Sequence, residues 1–189
     1  MRFNHLTIGL AMAAAGLVPV AANAQGTESK IACIKGRLGK AVSPDLLTAL
    51  SLKGLKAESA EEKEAFKQIT IRTNNCQRDN RWNAKQKGFA LEWFVGRNLQ
   101  LHAIEKLAPF GVRVPQLLSA LGSLDNAAFE AVAAGDMKGE TYRAVFQKLV
   151  ESGATIDKAP AAQASDIANT IVIGLVGTAR MQRAMEGFG

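Results

Sequence analysis

The chain has 189 residues, 48% hydrophobic and 21% charged, with a formal net charge of +6. That length suits a single domain able to bury a continuous apolar core. Two cysteines without a Cys-x-x-Cys spacing, and only two histidines, leave no basis for a thioredoxin-like redox pair or a zinc site of Cys and His ligands.

Residues 1–24 read as an export signal. Arg2 gives a positive start, Leu6 to Val18 is apolar, and Ala22-Asn23-Ala24 is the small-x-small pattern of a cleavage site before Gln25. The apolar run is about 13 residues, against roughly 20 for a membrane-spanning helix, so removal is expected rather than retention as an anchor. No cysteine stands at the cleavage point to take a lipid. The expected compartment is the periplasm, where Cys33 and Cys76 have one intramolecular pairing and are expected to form a structural disulfide. Closing a loop of about 44 residues raises the free energy of the unfolded chain by roughly 4 kcal/mol in the chain-entropy model.

Residues 25–30 lack apolar anchors and are expected to form a flexible arm, followed by one helical domain over 31–189. Ser43-Pro44-Asp45 combines a capping hydroxyl with a proline suited to a first turn, and Leu46, Leu47 and Leu50 follow at helical spacing. Ser59 with Glu62 forms a capping box for a second helix carrying Phe66 and Ile69, with Cys76 near its end. A third helix, roughly 82–108, gathers Phe89, Trp93, Phe94, Leu101, Ile104 and Leu107 on one broad face and Leu91, Val95 and Leu99 on a second stripe. Apolar on two sides, it is expected at the centre. Pro109, Gly111 and Pro115 break the pattern before short helices near 115–121, 125–133 and 139–151, the last stopped by Gly153.

Thr155 to Ala162, with Pro160, reads as a connecting loop. A final helix starting at Ser165 or Asp166 presents Ile167, Ile171, Gly174, Leu175 and Ala179 on one face, with Asp166, Asn169 and Arg180 opposite. Its uncharged stretch is about 13 residues, too short to span a bilayer. Gly174 and Gly177 allow another helix to come close, from the same chain or from a second copy. No period-two alternation, repeat or low-complexity tract is present, so the fold class is all-α, with about six or seven helices and one disulfide.

Charge is unevenly spread. Lys30, Lys35, Arg37 and Lys40 are unopposed in residues 30–40, and Arg72, Arg78, Arg81, Lys85 and Lys87 face Asp79 alone in residues 72–87. A Cys33–Cys76 bond merges the two segments into one basic patch, with Lys35, Arg37, Arg78, Arg81 and Lys85 as charge donors and Trp82 as an apolar contact. Such a patch attracts anionic partners: lipid headgroups, lipopolysaccharide, anionic polysaccharide or an acidic protein. The alternative reading is a solvated surface that keeps a small domain soluble, with no specific ligand. Nucleic acid is not expected. Gly36-Arg37-Leu38-Gly39 lacks the strands of Gly-x-x-Gly binders, and Gly36 to Lys40 lacks phosphate-loop spacing.

On the third helix, Arg97 falls within the broad apolar face one turn from Trp93, so it is either a ligand-binding arginine near Glu92 or a stem packed on Trp93 with its head turned outward. His102 lies on the minor stripe. Glu92, Arg97 and His102 are therefore the alternative site, for a small envelope hydrolase or small-molecule binder. No nucleophile elbow, metalloprotease, calcium-loop or cofactor motif occurs. The leading expectation is a non-enzymatic envelope protein with an anion-binding patch, with a scaffolding or oligomer-forming module as a further option.

Overall fold

The computed structural model describes residues 30–35, 38 and 42–189. The proposed leader, residues 25–29 of the arm, Arg37, Lys40 and both glycines of the Gly-x-x-Gly lie outside the described residues.

Local capping sets the helix starts. Helix α1 (Pro44–Leu52) begins where the Ser43 hydroxyl accepts from Leu46 N at 3.1 Å. In α2 (Ala60–Asn80) the anticipated box is complete: Ser59 Oγ accepts from Glu62 N, and the Glu62 carboxylate accepts from the N–H groups of Ser59 and Glu58. A second box, Asn83 with Gln86, opens α3 (Ala84–Leu107). Then follow α4 (Val114–Gly122), α5 (Asn126–Ala134), α6 (Gly139–Glu151) and α7 (Ala164–Phe188). Gly135 and Gly153, at φ +87° and +94°, take the left-handed turns beyond α5 and α6 that a side chain disfavours. The 155–162 connection contains two single 3-10 turns, Ile156–Lys158 and Ala161–Gln163. Among the described residues there are seven α-helices and no strand.

Helices α3 and α7 form an antiparallel spine. Gln86 Nε2 donates to Phe188 O at one end (3.2 Å), Gln100 Nε2 to Thr178 Oγ1 in the middle (3.0 Å), and Ala103 lies against Gly174 further along. Gly96 and Gly177 face each other so closely that a Cβ on Gly177 would lie 2.6 Å from both Gln100 N and Gly96 O. The close approach expected at Gly174 and Gly177 is thus made inside the chain. Those glycines are buried and offer no surface to a second copy.

Around this spine sit two apolar clusters. One packs Val95, Leu99 and Leu107 of α3 and Ile171 and Leu175 of α7 against α4, α5 and α6. The other packs Ala90, Trp93 and Phe94 of α3 and Ala184 and Phe188 of α7 against Ile31, Ile34, α1 and α2. Because α3 belongs to both, four consecutive residues, Trp93 to Gly96, are buried; a helix apolar all round belongs at the centre.

One apolar assignment needs correction. Leu101, placed on the broad apolar face of α3, is 47% exposed. On α3 the positions facing α7 are small, Gly96 and Ala103, with the amide Gln100; bulk alone does not identify a close helix contact. The disulfide joins Cys33 to Cys76, with Cα atoms 5.8 Å apart, and fixes the turn Ala32–Lys35 to α2. No helix among the described residues is long and apolar enough to cross a membrane.

Candidate functional site

The disulfide brings the turn Ala32–Lys35, with Lys35, to the C-terminal half of α2. Arg72 reinforces it: its Nε and Nη2 donate to Cys33 O at 2.9 and 2.6 Å, so this cation holds the N-terminal turn. Lys87 is held by Asn74 Oδ1 at 2.6 Å. Arg78, Arg81 and Lys85 stay exposed around the α2–α3 corner. Arg78 lies 3.0 Å from Asp79, but both side chains are more than half exposed, so water and salt screen the pair. Arg81 closes α2 at φ +56°, a conformation that costs a side-chain-bearing residue about 1–2 kcal/mol.

Along α3 two cations and two aromatic rings stand at four-residue spacing. Lys85, Phe89, Trp93 and Arg97 follow one another a turn apart, with Lys85 Nζ 5.5 Å from the Phe89 ring centre and Arg97 Cζ 5.8 Å from that of Trp93. From the N-terminal turn, Lys35 Nζ reaches the Trp93 ring at 4.8 Å. A ring face attracts a cation by about 0.5–1 kcal/mol at exposed sites without neutralising its charge. These rings therefore position the charges of Lys85 and Arg97 without neutralising them. Arg97 lays its guanidinium over Trp93 and forms no ion pair with Glu92, whose partner is Arg183.

The structure separates the three residues of the alternative site. Glu92 accepts from Nε and Nη2 of Arg183 on α7, and Arg183 Nη1 lies 3.4 Å from Glu130 on α5. Burial alone would lower the Arg183 pKa, but hydrogen bonds and charges from Glu92, then Glu130, outweigh it and the net shift is upward. This is a structural tie between three helices. His102, ten residues further along α3, lines a cavity of about 690 Å³ with Lys106 and Asp166. Burial first, then Lys106, pushes its pKa below the usual histidine value, against weaker opposing effects of Glu105 and Asp45. Glu92, Arg97 and His102 thus serve three places rather than one pocket. At 100° per residue a five-residue step turns the side chain through about 140°, which is why one helix cannot converge them.

Trp82 also requires correction as a ligand contact. It is 6% exposed and meets Phe188 edge to face, with ring centres 5.4 Å apart. The left-handed turn at Arg81 redirects the chain so that Trp82 enters the core, its backbone N–H bonded to Gln77 O at 2.9 Å. Among the described residues no cluster of His, Cys, Asp and Glu could hold a metal ion. No protein-family model, curated protein or solved structure matches the chain.

Proposed function

We propose that this chain is an exported, non-enzymatic periplasmic protein whose cationic corner binds an anionic component of the envelope or an acidic protein. The observation that carries the reading is that Arg78, Arg81 and Lys85 stay exposed around the α2–α3 corner, beside a disulfide that fixes the turn Ala32–Lys35 to α2. In residues 72–87 only Asp79 opposes them. The first turn of α3 carries no acid, although the helix dipole favours one there, and an external anion would supply that missing charge. The acids Glu61, Glu62 and Glu64 sit at the far end of α2, about 30 Å away at 1.5 Å per residue, so the helix itself is polarised toward the corner. The disulfide and the absence of a membrane-crossing helix among the described residues are compatible with export.

Cosedimentation tests the proposal with vesicles containing phosphatidylglycerol, vesicles of phosphatidylcholine alone, and immobilised heparin as a polyanion, each at low and high salt. Binding to the two anionic probes that weakens with salt is expected. Equal binding to neutral and anionic vesicles, insensitive to salt, would remove the proposal.

A further inference from the structure

We infer that the cavity between the C-terminal half of α3 and the N-terminal half of α7 binds a small zwitterion with a large apolar group, an α-amino acid such as phenylalanine or leucine. It is an open groove of about 690 Å³ rather than an enclosed chamber, with room for a small molecule lying against the two helices. The exposed Leu52 and the half-buried Phe110 and Ile173 present apolar surface in its lining, suited to an apolar side chain. Lys106 and Asn169 also line it, from α3 and α7, together with Asp166 in the first turn of α7.

Charge selects the occupant. Among the described residues Lys106 and Asp166 form no ion pair with each other or with any other side chain, although both line the same cavity. Antiparallel packing causes this arrangement. It places the last turn of α3, with its cation, next to the first turn of α7, with its acid, each sign matching its own helix dipole. A monoanion would meet Asp166 and a monocation would meet Lys106. A zwitterion offers a carboxylate to one and an ammonium to the other, while Asn169 can donate or accept. His102, held toward its neutral form by burial, adds a hydrogen-bonding ring, and Glu105 and Asp45 are further charges that reach it.

Saturation-transfer NMR and calorimetry with L-phenylalanine test the inference, alongside N-acetyl-phenylalanine, phenylalanine amide and alanine. Saturable binding of phenylalanine is expected, with at least a tenfold loss in each capped analogue, in alanine, and in Lys106→Met or Asp166→Asn. Both substituted residues are exposed, and circular dichroism of each variant establishes that it is folded. No binding of phenylalanine to the wild-type protein would overturn the inference. Equal binding of the capped analogues or of the folded charge variants would do so as well. The anion-binding proposal concerns a different surface and is unaffected by either result.

Discussion

Adding one methyl group at Gly177 should cost the fold more than any exposed substitution. A Cβ there would lie 2.6 Å from Gln100 N and Gly96 O and 2.9 Å from Leu99 Cβ. The first two are backbone atoms within helices and cannot rotate away. Relief to ordinary contact near 3.4 Å requires α3 and α7 to part by about 0.8 Å, and a gap of that order forfeits a quarter to a half of the dispersion energy of the atoms facing it. Overpacking costs about 1–3 kcal/mol, occasionally more, and the better helix propensity of alanine returns about 1. Because the contact is backbone to backbone, Gly177→Ala is expected at the upper end, a net loss of about 2 kcal/mol. At roughly 2–4 °C per kcal/mol for a chain of this size, the melting temperature falls by about 4–8 °C. Gly88→Ala, in α3 with nothing within 4 Å of the added methyl group, is the control and should stabilise by about 0.5–1 kcal/mol. Thermal and urea unfolding followed by circular dichroism measure both. A Gly177→Ala protein that melts at or above the wild-type temperature would refute the closely packed spine.

Reduction of Cys33–Cys76, which spans 43 residues, should lower stability by roughly 4 kcal/mol and be visible as a drop in melting temperature on adding a thiol; an unchanged melt would show that the bond constrains little. Glu62 is held at a pKa of about 2, first by its hydrogen bond from Lys53 and then by the Glu58 and Ser59 N–H groups. Its contribution to stability is therefore present above the ordinary glutamate pKa near 4.5 and is lost as pH falls toward 2; Glu62→Gln should flatten that part of the acid-unfolding curve, whereas an identical curve would contradict the assignment. Arg81→Gly should raise stability by about 0.5–1 kcal/mol by relieving the left-handed conformation while weakening binding to anionic vesicles; a destabilised variant would show that the strain is absent.

Local chemistry was the most legible part of the chain. Ser43 and Ser59 act within three residues of their partners, and two cysteines have one way to pair, so neither inference needs knowledge of the fold. The spine was half legible. Gly174 and Gly177 signalled close packing, but a lone Gly96 inside a helix carries no such signal until its partner helix is placed. Judging burial by side-chain bulk misassigned Leu101, because the tightest helix pair here is built from small residues. The Glu92–Arg183 tie joins residues 91 positions apart and leaves no local trace. Trp82 looked available beside Arg78 and Arg81, and only the backbone turn at Arg81 sends it into the core. The three-way separation of Glu92, Arg97 and His102 was readable from helical geometry alone.

The most direct measurement compares two triple variants of equal net charge for binding to phosphatidylglycerol vesicles. Arg78→Gln, Arg81→Gln and Lys85→Gln neutralise the cationic corner, whereas Lys138→Gln, Arg143→Gln and Lys158→Gln remove three exposed cations from α6 and its flanking segments. The corner variant should lose the salt-sensitive binding and the other should keep it. Equal loss in both would mean that overall charge, and not the stapled corner, attracts the anion.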